Sequence, residues 1–272
     1  DYNRDGYGKN LYTGNEHYNK DVTAYRLSAE WTPSDNLFFR FAYDNTEDNS
    51  NAKHGHREVA GSGLAAAYTT ILPSVYDTMG GAGDVNQVEN SGYSLTAEWK
   101  QSDFLTLKYI GAHREGETNG NIDFDTTPEA ALDVPAHYDD TQDSHEIQAL
   151  FSADRWSGVL GAYYLDATAA GAFDTVIGAL ATTIATSGYV QTKSTAIYGD
   201  FTFNITDALS VSVGGRYTQD ERTGHVYRQN FTGLKSPLFG NNAAVAGLLR
   251  SNYTNTRDFD EFTPRVSVSY KF

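Results

Sequence analysis

No cysteine occurs in the chain, so neither a disulfide framework nor a thiolate metal site is available to it. There is also no run of about 18 apolar residues, which excludes a membrane-spanning helix. The nearest approach, residues 169–190, is rich in Ala and Thr and interrupted by Asp174; it reads as a loop with a short helix. Positive charge is scarce: 20 Lys and Arg stand against 35 Asp and Glu, a net charge of −15. Such a chain repels phosphate backbones, so nucleic acid is not an expected partner. No basic segment followed by an apolar stretch opens the sequence, so no secretory signal is visible. Catalytic signatures are missing as well. There is no G-x-S-x-G elbow, phosphate-binding loop or H-E-x-x-H pair, and GGAGDV at 80–85 lacks the strand–helix setting of a dinucleotide fingerprint. The chain reads as a non-enzyme.

What is present is aromatic and alternating. Aromatic residues make up 13% of the chain, with 19 Tyr, 14 Phe and 3 Trp, a composition suited to membrane interfaces where one end of a ring is wet. In 21–31, Tyr25, Leu27, Ala29 and Trp31 alternate with Arg26, Ser28 and Glu30. The same two-residue period recurs in 37–44, 93–100, 209–218 and 262–272, with weaker versions near 145–152 and 156–167. Mean hydropathy is negative, yet that is no objection to a barrel, in which only every second strand residue meets lipid.

Loop lengths sort by parity. Turns at 33–36, 101–103, 153–155 and 206–208 are short, whereas the intervening stretches 45–91, 116–143, 168–192 and 223–261 are long and polar. Short turns at one end and long loops at the other favour an up-and-down transmembrane β-barrel over a soluble β-sandwich. The segments amount to nine antiparallel strands. Because bacterial single-chain barrels have even strand numbers, residues 1–272 are expected to be an arc of a larger all-β wall.

LSVSVGGRYTQDER (209–222), preceded by TDA and followed after a long loop by FDEFTPRVSVSYKF (259–272), resembles the barrel of TonB-dependent outer-membrane receptors. EWTPSDNLFFRFAYD (30–44) and WSGVLGAYYLD (156–166) are similar to other hairpins of that family. The resemblance implies a barrel of about 22 strands preceded by a plug domain, neither plug nor signal peptide being visible in 1–272. It also implies an outer-membrane location in a Gram-negative bacterium and active uptake of a scarce ligand, such as an iron–siderophore complex. The implied partners are outer-membrane lipid, the ligand or metal chelate, and TonB, engaged through a missing N-terminal region. A passive porin or an adhesive structural barrel is the alternative reading. The final SVSYKF is also similar to a barrel-assembly signal, although truncation is the favoured reading of that end.

Several constellations are candidates for chemistry. Arg26, Glu30, Arg40, Asp44, Glu98, Lys100, Arg216, Arg265 and Lys271 occupy the polar positions of the strands and are expected to face a wet lumen, pairing across strands. Asp1, Asn3 and Asp5 before Gly6 match the start of a calcium loop, but Tyr12 stands where the bidentate Glu belongs. A solvated loop is the simpler reading there, and no cofactor beyond such a Ca²⁺ is implied. His54, His56 and Glu58 alternate as metal ligands would, with a surface cluster as the simpler reading. The acidic residues from Asp133 to Glu146 read as hydrated loop, and His113, His137, His145 and His225 receive no role.

Overall fold

The computed structural model describes residues 1–61 and 70–272. Nine long strands follow one another in space as they do in sequence: β4 (Lys20–Ser34), β5 (Leu37–Asp48), β6 (Asn86–Lys100), β7 (Leu105–Asp123), β8 (Asp133–Ser152), β9 (Trp156–Ile177), β10 (Thr182–Asn204), β11 (Leu209–Thr232) and β12 (Ala246–Tyr270). Every neighbouring pair is antiparallel. A short β1 (Tyr2–Arg4) adds to the free side of β4, and β2 (Gly8–Lys9) pairs with β3 (Glu16–His17) in a separate ribbon. The sheet does not close, since β1 and β12 are its two edges.

The short turns stand where the sequence places them. Hydroxyls set their geometry: Thr206 Oγ1 accepts from the Ala208 and Leu209 amides, and Ser102 Oγ accepts from the Leu105 amide. At the other end the expected loops 116–143, 168–192 and 223–261 are largely strand. β7 and β8 run on to a tip at 124–132, and β9 and β10 meet through the one-turn Gly178–Leu180 3₁₀ segment, so 169–190 is a strand pair with a tight turn. Between β5 and β6 the described residues 49–61 and 70–85 lie outside the long strands, as do 233–245 between β11 and β12. Ladder hydrogen bonds need no particular side chain. Where both faces of a sheet are wet, the backbone stays paired while the alternation that signals a strand disappears.

Register separates two faces. One carries the apolar positions, bounded at the short-turn end by a cluster of Phe104, Phe151, Trp156, Phe201 and Phe203 with ring centroids 5.5–6.4 Å apart. A second aromatic row lies further up the same face, with Tyr93 stacked on His113 and Tyr109, His145 and Tyr164 stacked in series. Trp156 and Tyr164, eight residues apart on β9, are separated by about 26 Å along the strand, or about 20 Å once tilted. That matches the height of an apolar band flanked by aromatic girdles. The conventional core is correspondingly slight. The few buried apolar residues are mostly alanines, while Asn10, His17, Thr78 and Thr127 are buried among the loops at the far end.

Candidate functional site

The polar face is a charge ladder. Arg26 stands opposite Asp44 on β5, and Asp44 stands opposite Gly92 on β6. Arg114 of β7, opposite Gly92 from the other side, reaches over the glycine and holds Asp44 with two hydrogen bonds of 3.1 and 2.8 Å. A Cβ on Gly92 would sit 2.9 Å from Arg114 Cγ, so the missing side chain opens the route. The same device recurs twice. Arg265 of β12 bonds Asp200 of β10 at 2.7 Å across Gly214, and Gln148 of β8 donates to the Tyr198 hydroxyl of β10 at 2.9 Å across Gly161. Tyr198 also donates to Glu146, and the Arg216 guanidinium lies 5.4 and 5.7 Å from the ring centroids of Tyr163 and Tyr198.

Register puts Arg26, Glu30, Arg40, Asp44, Glu98, Lys100, Arg216 and Arg265 at positions of one face of the sheet. Glu30 faces Arg40 at 3.8 Å and Glu98 holds Lys108 at 2.8 Å. Lys100 turns instead to Asp103 in the adjacent turn, at 2.7 Å, and Lys271 lies just past β12. The partners Lys108, Arg114, Glu146, Tyr198 and Asp200 escaped sequence reasoning because they are identifiable only once register is known.

Beyond the apolar band the loops form a cap. The segment around β2 is stitched to residues 77–80: Asn10 Nδ2 donates to Gly80 O at 2.8 Å, the Leu11 amide to Thr78 O at 2.9 Å and the Thr78 amide to Lys9 O at 3.0 Å. His17 is buried against His54, and that burial, with the nearby His54, lowers its pKa. His54 bonds Gly83 O at 2.9 Å and His56 bonds Asp77 O at 3.2 Å, so the two imidazoles tie the cap together rather than converge with Glu58. Asn3 stands opposite Asp21 in the β1–β4 pair, and Asp1 and Asp5 flank β1 on either side.

The cap rests on the β7–β8 tip. Gly81 N donates to Thr127 O at 2.8 Å, Asn121 Nδ2 to Ala82 O at 2.8 Å, and Ala82 N to Asp123 Oδ2 at 3.3 Å. There Asp123, Asp125 and Asp133 each bring one carboxylate oxygen within 4.8 Å of the other two. Burial and the charges of Asp123 and Asp125 push Asp133 up to about 7, and burial together with Asp125 raises Asp123. This trio is the one potential metal-ligating cluster among the described residues.

A second anchor lies at the end of β9. Asp174, fully buried, accepts the Ser236 amide at 2.7 Å and so pins the β11–β12 connection. Burial raises its pKa above the ordinary carboxylate value. The native form therefore holds its proton to higher pH than the unfolded chain does, so the stability that burying Asp174 contributes is fully present below about pH 4 and is lost as pH rises through the native value, even though the Ser236 bonds themselves favour the ionised form. We expect the hydrogen-exchange protection of the Ser236 amide, corrected for intrinsic rates, to fall across that window. Asp174→Asn should flatten the dependence; an equally pH-dependent Asn variant would refute the assignment.

An open antiparallel arc with a girdled apolar face and a charged, wet face is a segment of a transmembrane β-barrel wall. Residues 43–272 match the family described as TonB dependent receptor-like, beta-barrel, and the chain belongs to that family. The ferric yersiniabactin uptake receptor FyuA of Yersinia pestis is similar in structure, with a TM-score of 0.67 and 15% identity over 98% of this chain. The ferric-catecholate import receptor Fiu of E. coli K12 is similar in its closed form, with a TM-score of 0.58 and 10% identity over 97% of this chain. The chain spans 38% of the first receptor and 42% of the second. No curated protein matches it.

Proposed function

We propose that this chain is part of the barrel wall of an outer-membrane receptor that imports a scarce ligand, such as an iron–siderophore complex, with energy delivered by TonB. Family membership over 43–272 carries the reading. The two aromatic rows agree with a wall set in a Gram-negative outer membrane, and the structural neighbours, receptors for ferric yersiniabactin uptake and ferric-catecholate import, point to ferric chelates. In this reading the cap meets the ligand, the charge ladder lines the passage, and TonB engages a region outside these residues. The work is transport, not catalysis. The charged face offers both signs, which suits a hydrated passage for an anionic chelate better than an adhesive surface.

The test is uptake of radiolabelled iron, supplied as ferric catecholate or ferric yersiniabactin, into cells carrying the full-length gene as sole receptor. We expect a more than tenfold drop when TonB is deleted, with ligand binding to outer membranes retained. Uptake that persists at the same rate without TonB would instead identify a passive porin.

A further inference from the structure

The acidic trio at the β7–β8 tip is built as a ligand shell rather than as a solvated surface. Asp123 and Asp133 face each other as the last registered pair of the hairpin, and Asp125 folds back from the turn between them. Thr126, with φ of 57°, takes the left-handed conformation that directs its amide onto Asp123 Oδ1. The Thr127 amide donates to Asp125 Oδ1 at 2.8 Å and the Leu132 amide to Asp125 Oδ2 at 2.6 Å. Two of the three carboxylates are thus fixed by backbone donors; Asp125 Oδ1 also accepts from the Thr127 hydroxyl, whereas Asp125 Oδ2 and both oxygens of Asp123 each keep a further lone pair. Asp133 differs. Its side chain is 8% exposed, yet its buried Oδ1 has no hydrogen-bond donor. A buried carboxylate oxygen without a partner, beside two other carboxylates, is a costly arrangement that a cation would relieve.

We propose that Asp123, Asp125 and Asp133 bind a calcium ion that locks the cap onto the β7–β8 hairpin. The donors are all oxygen, which selects a hard cation over zinc or copper. An irregular hairpin tip suits the adaptable 6–8-fold shell of Ca²⁺ better than the strict octahedron of Mg²⁺, with water completing the shell. Because Asp123 Oδ2 also accepts from the Ala82 amide, the ion would fasten both strands of the hairpin and, through that bond, residues 80–82 of the cap. The site is distinct from the calcium-like spacing of Asp1, Asn3 and Asp5. It does not depend on the TonB reading, since cation binding is measurable whatever the protein transports.

The experiment uses the full-length protein in detergent, freed of divalent ions with chelator. Ca²⁺ is titrated calorimetrically, and hydrogen exchange is followed at Ala82, Thr126 and Leu132. Wild type should bind Ca²⁺ and slow exchange at those amides. Asp133→Asn and Asp125→Asn should each weaken the affinity at least tenfold, while Asp154→Asn in the turn at 153–155 should leave it unchanged. If Ca²⁺ at 10 mM slows none of these amides, or if Asp133→Asn and Asp125→Asn bind it as wild type does, the site is refuted.

Discussion

Arginine in place of Leu160 should cost the folded barrel about 2–4 kcal/mol, whereas arginine in place of its neighbour Val159 should cost less than about 1 kcal/mol. Leu160 lies on the apolar face between Ala149 of β8 and Gly199 of β10, midway between Trp156 and Tyr164. It is 48% exposed because no part of this chain covers it. In a membrane that exposure is to acyl chains at the centre of the bilayer, where a guanidinium loses its hydration. Val159 points the other way and stands directly opposite Asp200, so an arginine there shares that carboxylate with Arg265 and keeps its water. Urea titration of the full-length protein folded into lipid vesicles measures both. Equal costs would mean that the two faces have been assigned wrongly.

Gly81→Val should free the cap from the barrel. A Cβ at this position would lie 2.2 Å from the carbonyl oxygen of Pro128, a backbone atom that no rotamer change can move aside. Either the 80–82 segment or the β7–β8 tip must shift, and the Gly81–Thr127 bond goes with it. Overpacking of this kind costs about 1–3 kcal/mol, so amide exchange at Gly80 and Ala82 should accelerate about 10- to 100-fold. Gly55→Ala is the control, because its Cβ would meet only Thr126 Cγ2 at an ordinary 3.5 Å. Unchanged exchange in the Gly81 variant would show that the cap does not depend on this contact.

These two outcomes test different depths of what the sequence discloses. Leu160 belongs to an alternating segment, and alternation is readable wherever one face meets lipid and the other water. The nine strands, their order and the short turns all follow from that contrast. Above the band both faces are wet, so Asp139, Asp140 and Asp143 of β8 read as loop although they sit in a continuous ladder. The site was legible only in part. Arg26, Arg40 and Arg265 declare their face through parity, but Arg114 is recognised as the partner of Asp44, and Asp200 as that of Arg265, only after register brings a glycine between the two strands concerned. Asp133 was visible as one acid in a run extending to Glu146. Its pairing with Asp123 depends on where the hairpin turns, and no local spacing announces that. The Asp1–Asp5 spacing matches a motif as well, and what spacing does not disclose is that Tyr2, Asn3 and Arg4 within it pair with β4.

The reach of the strands has a further consequence for how a cell surface is arranged around this protein. From Asp260, the first charged residue past the apolar rungs of β12, the strand continues to Ala246, about 46 Å along its length and about 35 Å in height once tilted. In an outer membrane that makes the wall a turret. Its top stands well above the apolar band, and a large molecule arriving from solution meets the cap before any lower rung of the wall.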